Sequence, residues 1–435
     1  MKTYSNYKDS GVQWIGKVPS HWNMAKLKYD FHIYAGATPK TENPIYWDGD
    51  IIWITPADYK TSDKYVSQGK RTISKEGYQS CNTQIVPKGS LIFSKRAPIG
   101  TIAIAVNELC TNQGCLSCVP KDVSSTYFFY IISVSTEAFE LLGSGATFKE
   151  ISANDFANVK LPLPPLSEQQ AIASYLDAKT KPIDDIIAKR EKQIELLEEM
   201  KSAIISRAVT KGLDPDAKMK DSGIEWIGEV PEHWEVADLK RYAKISTGKT
   251  PSTKKDEYFE NEEIVWFTPG DFPDGSIILN DSSRKIDKRA IKASEAFLYP
   301  KNSVFLVGIG GTLGKIGIFE EEASCNQQIN VIVCKSNILK NYVAYYLYSK
   351  KEILKVYSNA ATLPILNQDK TGYIKIALPP LSEQQAIADY LNTETSKIDT
   401  RIAKRRKQIE LLQEYKQALI TAAVTGKIDV REYNS

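Results

Sequence analysis

No run of apolar residues in this chain is long enough to cross a bilayer. The longest, IAIAV at 102–106 and VFLVGIGG at 304–311, fall far short of the roughly 20 residues that a membrane helix needs. The start, MKTYSNYKDSG, lacks the apolar stretch of a secretory signal. Both absences predict a cytoplasmic protein with no membrane partner. Cysteine is scarce too: six in 435 residues are too few for a disulfide scaffold, and a reducing compartment would keep them as thiols. Net charge is small, +3 from 56 basic and 53 acidic residues, so global charge neither requires nor excludes a polyanionic partner. A DNA-binding face would have to come from local placement of charge.

What is present is a globular composition, 42% hydrophobic, 10% aromatic and 25% charged, in a chain long enough for two domains. Cys110, Cys115 and Cys118 follow a C-x4-C-x2-C spacing that matches plant-type iron–sulfur ligands. An internal copy of the region has Ser324, Ile329 and Ile332 at the matching places, which favours buried small side chains in a strand.

That internal copy is the main signal. The chain is written twice: KDSGVQWIGKVPSHWNMAKLK at 8–28 returns as KDSGIEWIGEVPEHWEVADLK at 220–240. WITPAD at 53–58 answers WFTPGD at 266–271, and LPPLSEQQAIASYLD at 163–177 answers LPPLSEQQAIADYLN at 378–392. The offset drifts only from 212 to 215, so the halves share one fold, with the period of a domain and not of a solenoid. The opening segments and C-terminal quarters are nearly identical, and the stretches between them are not. A duplicated enzyme would keep its reactive side chains in both copies, whereas a duplicated reader of two ligands would vary at its contact surface.

Each half opens with short apolar or alternating runs punctuated by Gly and Pro, such as DIIWIT, GSLIFS and TIAIAV within 50–106, the pattern of a mixed sheet with a few helices. A long helix follows. SEQQ predicts a capped start with Ser167 as N-cap and Gln170 at the third helical position. Ile172, Leu176, Ile183, Ile187, Ile194, Leu197, Ile204 and Ala208 form its stripe, Gly212 and Pro215 its stop, and Pro182 predicts a kink or short break near Lys181. The second copy has Ser382, Ile387, Leu391, Ile398, Ile402, Ile409, Leu412, Leu419 and Ala423, ending at Gly426. Charged outer faces (KREKQIELLEEMK, KRRKQIELLQEYK) favour a two-helix coiled coil over helices that each pack only on their own domain. The expected class is α+β: a mixed α/β domain (1–160), a long helix (161–212), a second such domain (213–375) and a second helix (376–435), the helices antiparallel with pseudo-two-fold symmetry. About 40 helical residues make a rod of roughly 60 Å, long enough to hold two heads one to two DNA turns apart. The same symmetry puts Trp14 and Trp22 near the end of the second helix, about Thr425, so that the chain is quasi-circular.

These features resemble the specificity (S) subunit of Type I restriction–modification systems. The resemblance covers nearly the whole chain and rests on DSGVQWIGKVPSHW with DSGIEWIGEVPEHW, the G-x-T-P turns at Gly36–Pro39 and Gly248–Pro251, and the doubled LPPLSEQQAIA. It implies a non-catalytic subunit with two target recognition domains, each reading one half of a bipartite duplex DNA sequence. It also implies two modification (methyltransferase) subunits and ATP-dependent restriction subunits as partners. S-adenosylmethionine, ATP and Mg would belong to those partners, with no cofactor bound by this chain.

Major-groove reading wants Arg or Lys for guanine and Asn or Gln for adenine, with further cations on phosphates. Candidates in the divergent stretches of the first half are Thr38, Lys40, Lys70, Arg71, Ser94, Lys95, Arg96, Gln113 and Lys149. Those of the second are Lys249, Thr250, Lys254, Lys255, Arg284, Lys285, Asn326, Gln327 and Asn367. Trp22 and Trp234, with His21 and His233 before them, read as packing and not catalysis. A self-contained methyltransferase is disfavoured, since each motif fails at a named residue. NPIY (43–46) has no counterpart in the second half, VGIGGTLG (307–314) has Leu313 for the last Gly of a dinucleotide loop, and GKT at 248–250 has Ala243 where a phosphate loop begins with Gly. The remaining rival is a coiled-coil scaffold that does not read DNA.

Overall fold

The computed structural model describes residues 2–96, 98–144, 149–260, 263–357 and 365–433. The chain forms two compact units, one of Met1–Lys189 with Lys407–Ser435 and the other of Arg190–Arg406.

In the first unit a five-stranded sheet runs in the order Phe31–Ala35, Cys115–Pro120, Leu91–Ser94, Ile102–Ala105 and Tyr65–Val66. All of its pairs are antiparallel except the last. Its strands Leu91–Ser94 and Ile102–Ala105 are buried at every residue and almost wholly apolar because both faces are covered. Leu91, Phe93, Ile102 and Ile104 face a core shared with the helix Ser125–Ser133, while Ile92, Ala103 and Ala105 face a second, smaller core. A strand with two buried faces has no polar alternation to show. Beside this sheet lies a three-stranded one, Cys110–Thr111, Trp47–Ile54 and Arg71–Ile73.

The second unit repeats the plan. Its four-stranded sheet runs Ala243–Thr247, Ile329–Cys334, Ser303–Val307 and Ile316–Ile318, and its three-stranded sheet Lys285–Ile286, Ile264–Phe267 and Ser324–Cys325. Val304, Leu306 and Ile332 face one core, and Phe305, Val307 and Val331 the other.

The first long helix spans Leu166–Lys211 and the second Leu381–Val424. Ser167 is therefore inside the first turn and is not the N-cap. The helix begins directly after Pro164 and Pro165, and Gln169 closes the start by donating its Nε2 to the carbonyl of Pro164 (2.9 Å). Pro182 does not break the helix. Pro182 and Ala178, whose carbonyl loses its partner, both lie on the exposed face, where water takes the place of the missing N–H. Gly212 and Gly426 end the helices with φ of +74° and +71°, the left-handed conformation that favours glycine.

The apolar stripe of the first helix is buried at Ile172, Leu176 and Ile183, half-buried at Ile187, Ile194 and Leu197, and buried again at Ala208. Half-burial in mid-helix is what a two-helix contact provides, and full burial at the ends is what a domain core adds. In the first unit Lys416 pairs with Asp184 (2.6 Å). In the second, Lys201 pairs with Asp399 (2.7 Å) and Arg406 with Glu198 (3.1 Å), the descending order of an antiparallel contact. The N-terminal segment meets the end of the second helix as the repeat predicts: Tyr7 donates its hydroxyl to Gly426 O (3.0 Å), and Asp429 N to Lys2 O (2.9 Å).

Candidate nucleic-acid interface

Both units build the same frame around the Gly-x-Thr-Pro turn. After the strand Phe31–Ala35, Gly36 N donates to Cys115 O (3.3 Å) and Ala37 N to Thr111 O (2.9 Å). A Cβ on Gly36 would stand 2.2 Å from Asn112 O and 2.3 Å from Thr111 O, so only glycine fits. The Trp53 indole then donates to Ala37 O (3.0 Å), and the Thr38 hydroxyl bonds the Gln113 side-chain oxygen. The second unit reproduces each contact. Lys249 N donates to Cys325 O (3.0 Å), the Trp266 indole to Lys249 O (3.2 Å), and the Thr250 hydroxyl to the Gln327 side-chain oxygen.

The WITPAD and WFTPGD segments fix the neighbouring loop. Asp58 accepts from the Thr55 N–H (2.7 Å) and, through its other oxygen, from the Lys70 N–H (2.9 Å). Asp271 accepts likewise from Thr268 (2.7 Å) and Ser283 (2.7 Å). Burial would raise the pKa of Asp271, but those N–H donors hold it below the ordinary carboxylate value. The loop places the Arg71 guanidinium over the Trp47 ring at 3.7 Å. Arg284 lies more loosely, 5.9 Å from the Phe259 ring.

Thr38, Lys40, Lys70, Arg71 and Gln113 therefore gather about the Trp47–Trp53 pair. Lys95, next to the 112–114 turn through its N–H to Gly114 O (3.0 Å), forms with Arg96 and Glu150 a second group, beside exposed Lys149. In the second unit Lys249 donates to Ser294 O (2.7 Å), Lys255 to the Tyr258 hydroxyl (3.1 Å), and Lys285 pairs with Asp281 (3.3 Å); Lys254 and Gln327 are exposed. Two candidates are buried and structural, and a third, exposed, caps a helix. Ser94 is fully buried and donates to Arg96 O (3.0 Å). Asn326 is buried and holds its own turn by accepting from Gln328 N (3.0 Å). Asn367 caps the helix Gln368–Gly372 by accepting from Lys370 N (2.9 Å).

The VGIGGTLG stretch links two antiparallel strands and so lacks the helix start that a dinucleotide site requires. Cys110, Cys115 and Cys118 lie in three separate apolar clusters and do not converge.

Sequence reasoning missed a clamp at the start of each long helix. Glu168, nearly buried, accepts from the Trp22 indole (2.8 Å) and the Tyr4 hydroxyl (3.2 Å), and contacts His21 Nε2 (2.7 Å). Glu383 takes Trp234 (3.1 Å) and His233 (2.8 Å) in the same way. A carboxylate in the first helical turn also faces the positive end of the helix dipole. The signal was on view: a Trp–His pair and an SEQQ that recur together.

Comparison with known proteins agrees with this duplicated frame. The family model of the Type I restriction modification DNA specificity domain matches residues 19–196 and again 231–411. The MjaIX Type I restriction enzyme specificity subunit of Methanocaldococcus jannaschii is 31% identical over 430 residues, covering 96% of each chain. The EcoR124I/EcoR124II specificity subunit of Escherichia coli is 27% identical over 205 residues, 44% of this chain and 47% of that one. A chain solved in work on assembly and conformational transition of the type I R-M system shares the fold with a TM-score of 0.69 at 16% identity, over 94% of this chain and 99% of its own. The chain belongs to the Type I restriction–modification DNA specificity family and carries that family's domain twice.

Proposed function

We propose that this chain reads a bipartite, asymmetric duplex DNA target, one half per unit, and positions modification and restriction subunits on it without catalysing a reaction itself. The observation that carries the reading is one frame built twice, contact for contact, beneath two different sets of exposed side chains. Identical heads would read a palindrome, and unlike heads read two unlike halves. Lys40, Lys70, Arg71, Arg96, Gln113 and Lys149 are the contacts of the first unit, and Lys254, Arg284 and Gln327 those of the second. S-adenosylmethionine, ATP and Mg belong to the partner subunits.

Leu196 and Met200 stand about half exposed one turn apart on the first helix (51% and 49%), and Leu411 and Tyr415 do the same at the equivalent positions of the second (51% and 55%). The same apolar pair presented twice fits two copies of one modification subunit, since exposed apolar side chains so placed mark docking faces.

Mapping methylated bases in cells with and without the gene tests the reading. A bipartite motif with an internal spacer should vanish with the gene. Exchange of residues 221–375 for another recognition domain should change one half only; a change in both halves, or in neither, would refute it.

A further inference from the structure

One pair of positions is identical in backbone and opposite in chemistry. In the first unit Arg96 forms an antiparallel bridge with Glu150, and in the second Ile309 forms one with Ile365. The surrounding hydrogen bonds establish the equivalence. Lys95 N donates to Gly114 O (3.0 Å) as Gly308 N donates to Gln328 O (2.8 Å), and Ile151 N donates to Lys95 O (3.0 Å) as Leu366 N donates to Gly308 O (2.8 Å). Each bridge leads into a short helix, capped by Ser152 in one unit and Asn367 in the other. Where the first unit sets out two cations and a carboxylate, the second has Gly308, Ile309 and Ile365, the last exposed at 40%.

We propose that this bridge is a base-reading position in each unit. In the first unit Arg96, aimed by Glu150, takes a guanine; in the second, Ile309 and Ile365 take the methyl group of a thymine. The inference rests on the DNA-reading assignment above and deepens it.

Geometry supports the first half. Arg96 donates to Glu150 through Nε (2.8 Å), while its two terminal nitrogens make no hydrogen bond among the described residues. A guanidinium held at Nε presents its outer edge as a fixed fork, the shape that bonds guanine O6 and N7 together. Lys95 holds the other Glu150 oxygen (2.6 Å), so the carboxylate stays in place when Arg96 turns to a base. Lys95 is itself sheltered, with 14% of its side chain exposed against 47% for Arg96, which makes Arg96 the cation that reaches out. In the second unit no donor or acceptor side chain occupies the bridge, and two isoleucines offer what a thymine C5-methyl needs. A phosphate contact would not call for an aiming carboxylate, which repels the backbone it would approach.

The test uses the full chain assembled with its modification subunits and selection from a randomised duplex library. Arg96→Ile with Glu150→Ile should remove a G·C requirement at one position of one half-site and shift it toward A·T, with a relative-affinity change of about tenfold or more. The other half should be unchanged. Ile309→Arg with Ile365→Glu should do the reverse in the other half. An unchanged target, or an even loss of affinity across all sequences, overturns the inference. Should the double variant fail to fold, Arg96→Lys keeps the charge and removes the fork: a weakened G·C preference supports the proposal, and an unaltered one overturns it. A wild-type complex that selects no sequence would sink the DNA-reading assignment itself, whereas a wild type that selects a bipartite site shared by the variants sinks only this inference.

Discussion

The two glycines that end the long helices occupy equivalent places, yet alanine should harm them unequally. Both have positive φ, +74° at Gly212 and +71° at Gly426, so an alanine at either costs roughly 1–2 kcal/mol in backbone strain. At Gly212 a new Cβ would lie 3.1 Å from Glu383 Oε1 and 3.3 Å from Trp234 Cζ2, contacts that a small shift relieves. At Gly426 it would lie 2.2 Å from Pro19 Cδ and 2.5 Å from Cγ, and a proline ring cannot swing aside. Overpacking of this kind adds about 1–3 kcal/mol, giving a total of roughly 2–5 kcal/mol. At about 2–4 °C per kcal/mol for units of this size, Gly426→Ala should lower its melting transition by about 4–20 °C, and Gly212→Ala by about 2–8 °C. Scanning calorimetry of the full chain measures both. Asparagine, which tolerates positive φ, separates the two terms: Gly212→Asn should be close to neutral and Gly426→Asn should not. Equal losses for the two alanine variants, or a neutral Gly426→Asn, would refute the steric part of the reasoning.

Burial pushes the Cys110 and Cys115 thiols up to about 12 and those of Cys118 and Cys325 higher still. Native protein at pH 8 should therefore show fast modification by a thiol-reactive disulfide only at half-buried Cys81, with the other five reacting after denaturation; rapid native labelling of Cys115 would contradict the packing. Lys40 and Lys254 are exposed and form no ion pair among the described residues. Alanine at either should weaken binding evenly across sequences and reduce the slope of log K against log salt by about one unit, as fluorescence anisotropy at several salt concentrations would show; altered sequence preference would mean a base contact instead. Leu196→Glu with Leu411→Glu should abolish co-purification with the modification subunit while moving the melting temperature of the free chain little, because exposed sites contribute within about 0.5 kcal/mol. Retained co-purification would place the docking face elsewhere.

The repeat made much of the fold legible, because identity between the halves reports the frame directly. Trp22 and Trp234 are buried at 0% and 1%, and the N-terminal segment meets the second helix end, both as the sequence implied. What failed depended on tertiary partners. Ser167 has the residue type of an N-cap, but Pro165 and the folded-back Gln169 set the boundary two residues earlier. Pro182 has the local chemistry of a break, but the carbonyl it orphans, that of Ala178, belongs to the exposed face of an unbroken helix, a fact of helix phase. Ser94 and Asn326 have the residue types of base contacts but are buried and close turns instead, while exposed Asn367 also caps a helix. A polar side chain in a loop looks the same in sequence whether it bonds its own backbone or a ligand. The bridge at Arg96 and Ile309 was hidden for another reason: matching FSKRAPIG to VGIGGTLG residue for residue sets the register one position off, and only the backbone hydrogen bonds pair Lys95 with Gly308.

The first unit is completed by residues from the far end of the chain. Leu419, Ile420, Ala423 and Val424 belong to the same core as Trp22, Phe93 and Ile172, whereas the second unit is one continuous stretch, Arg190–Arg406. Domains usually fold in the order in which the ribosome releases them. Here the order must invert: the unit that begins first waits, its core open along one side, until some 230 further residues have been made, and the unit that begins later closes before it. Its waiting apolar surface is where a chaperone would bind the nascent chain, and where a stalled or truncated product would aggregate.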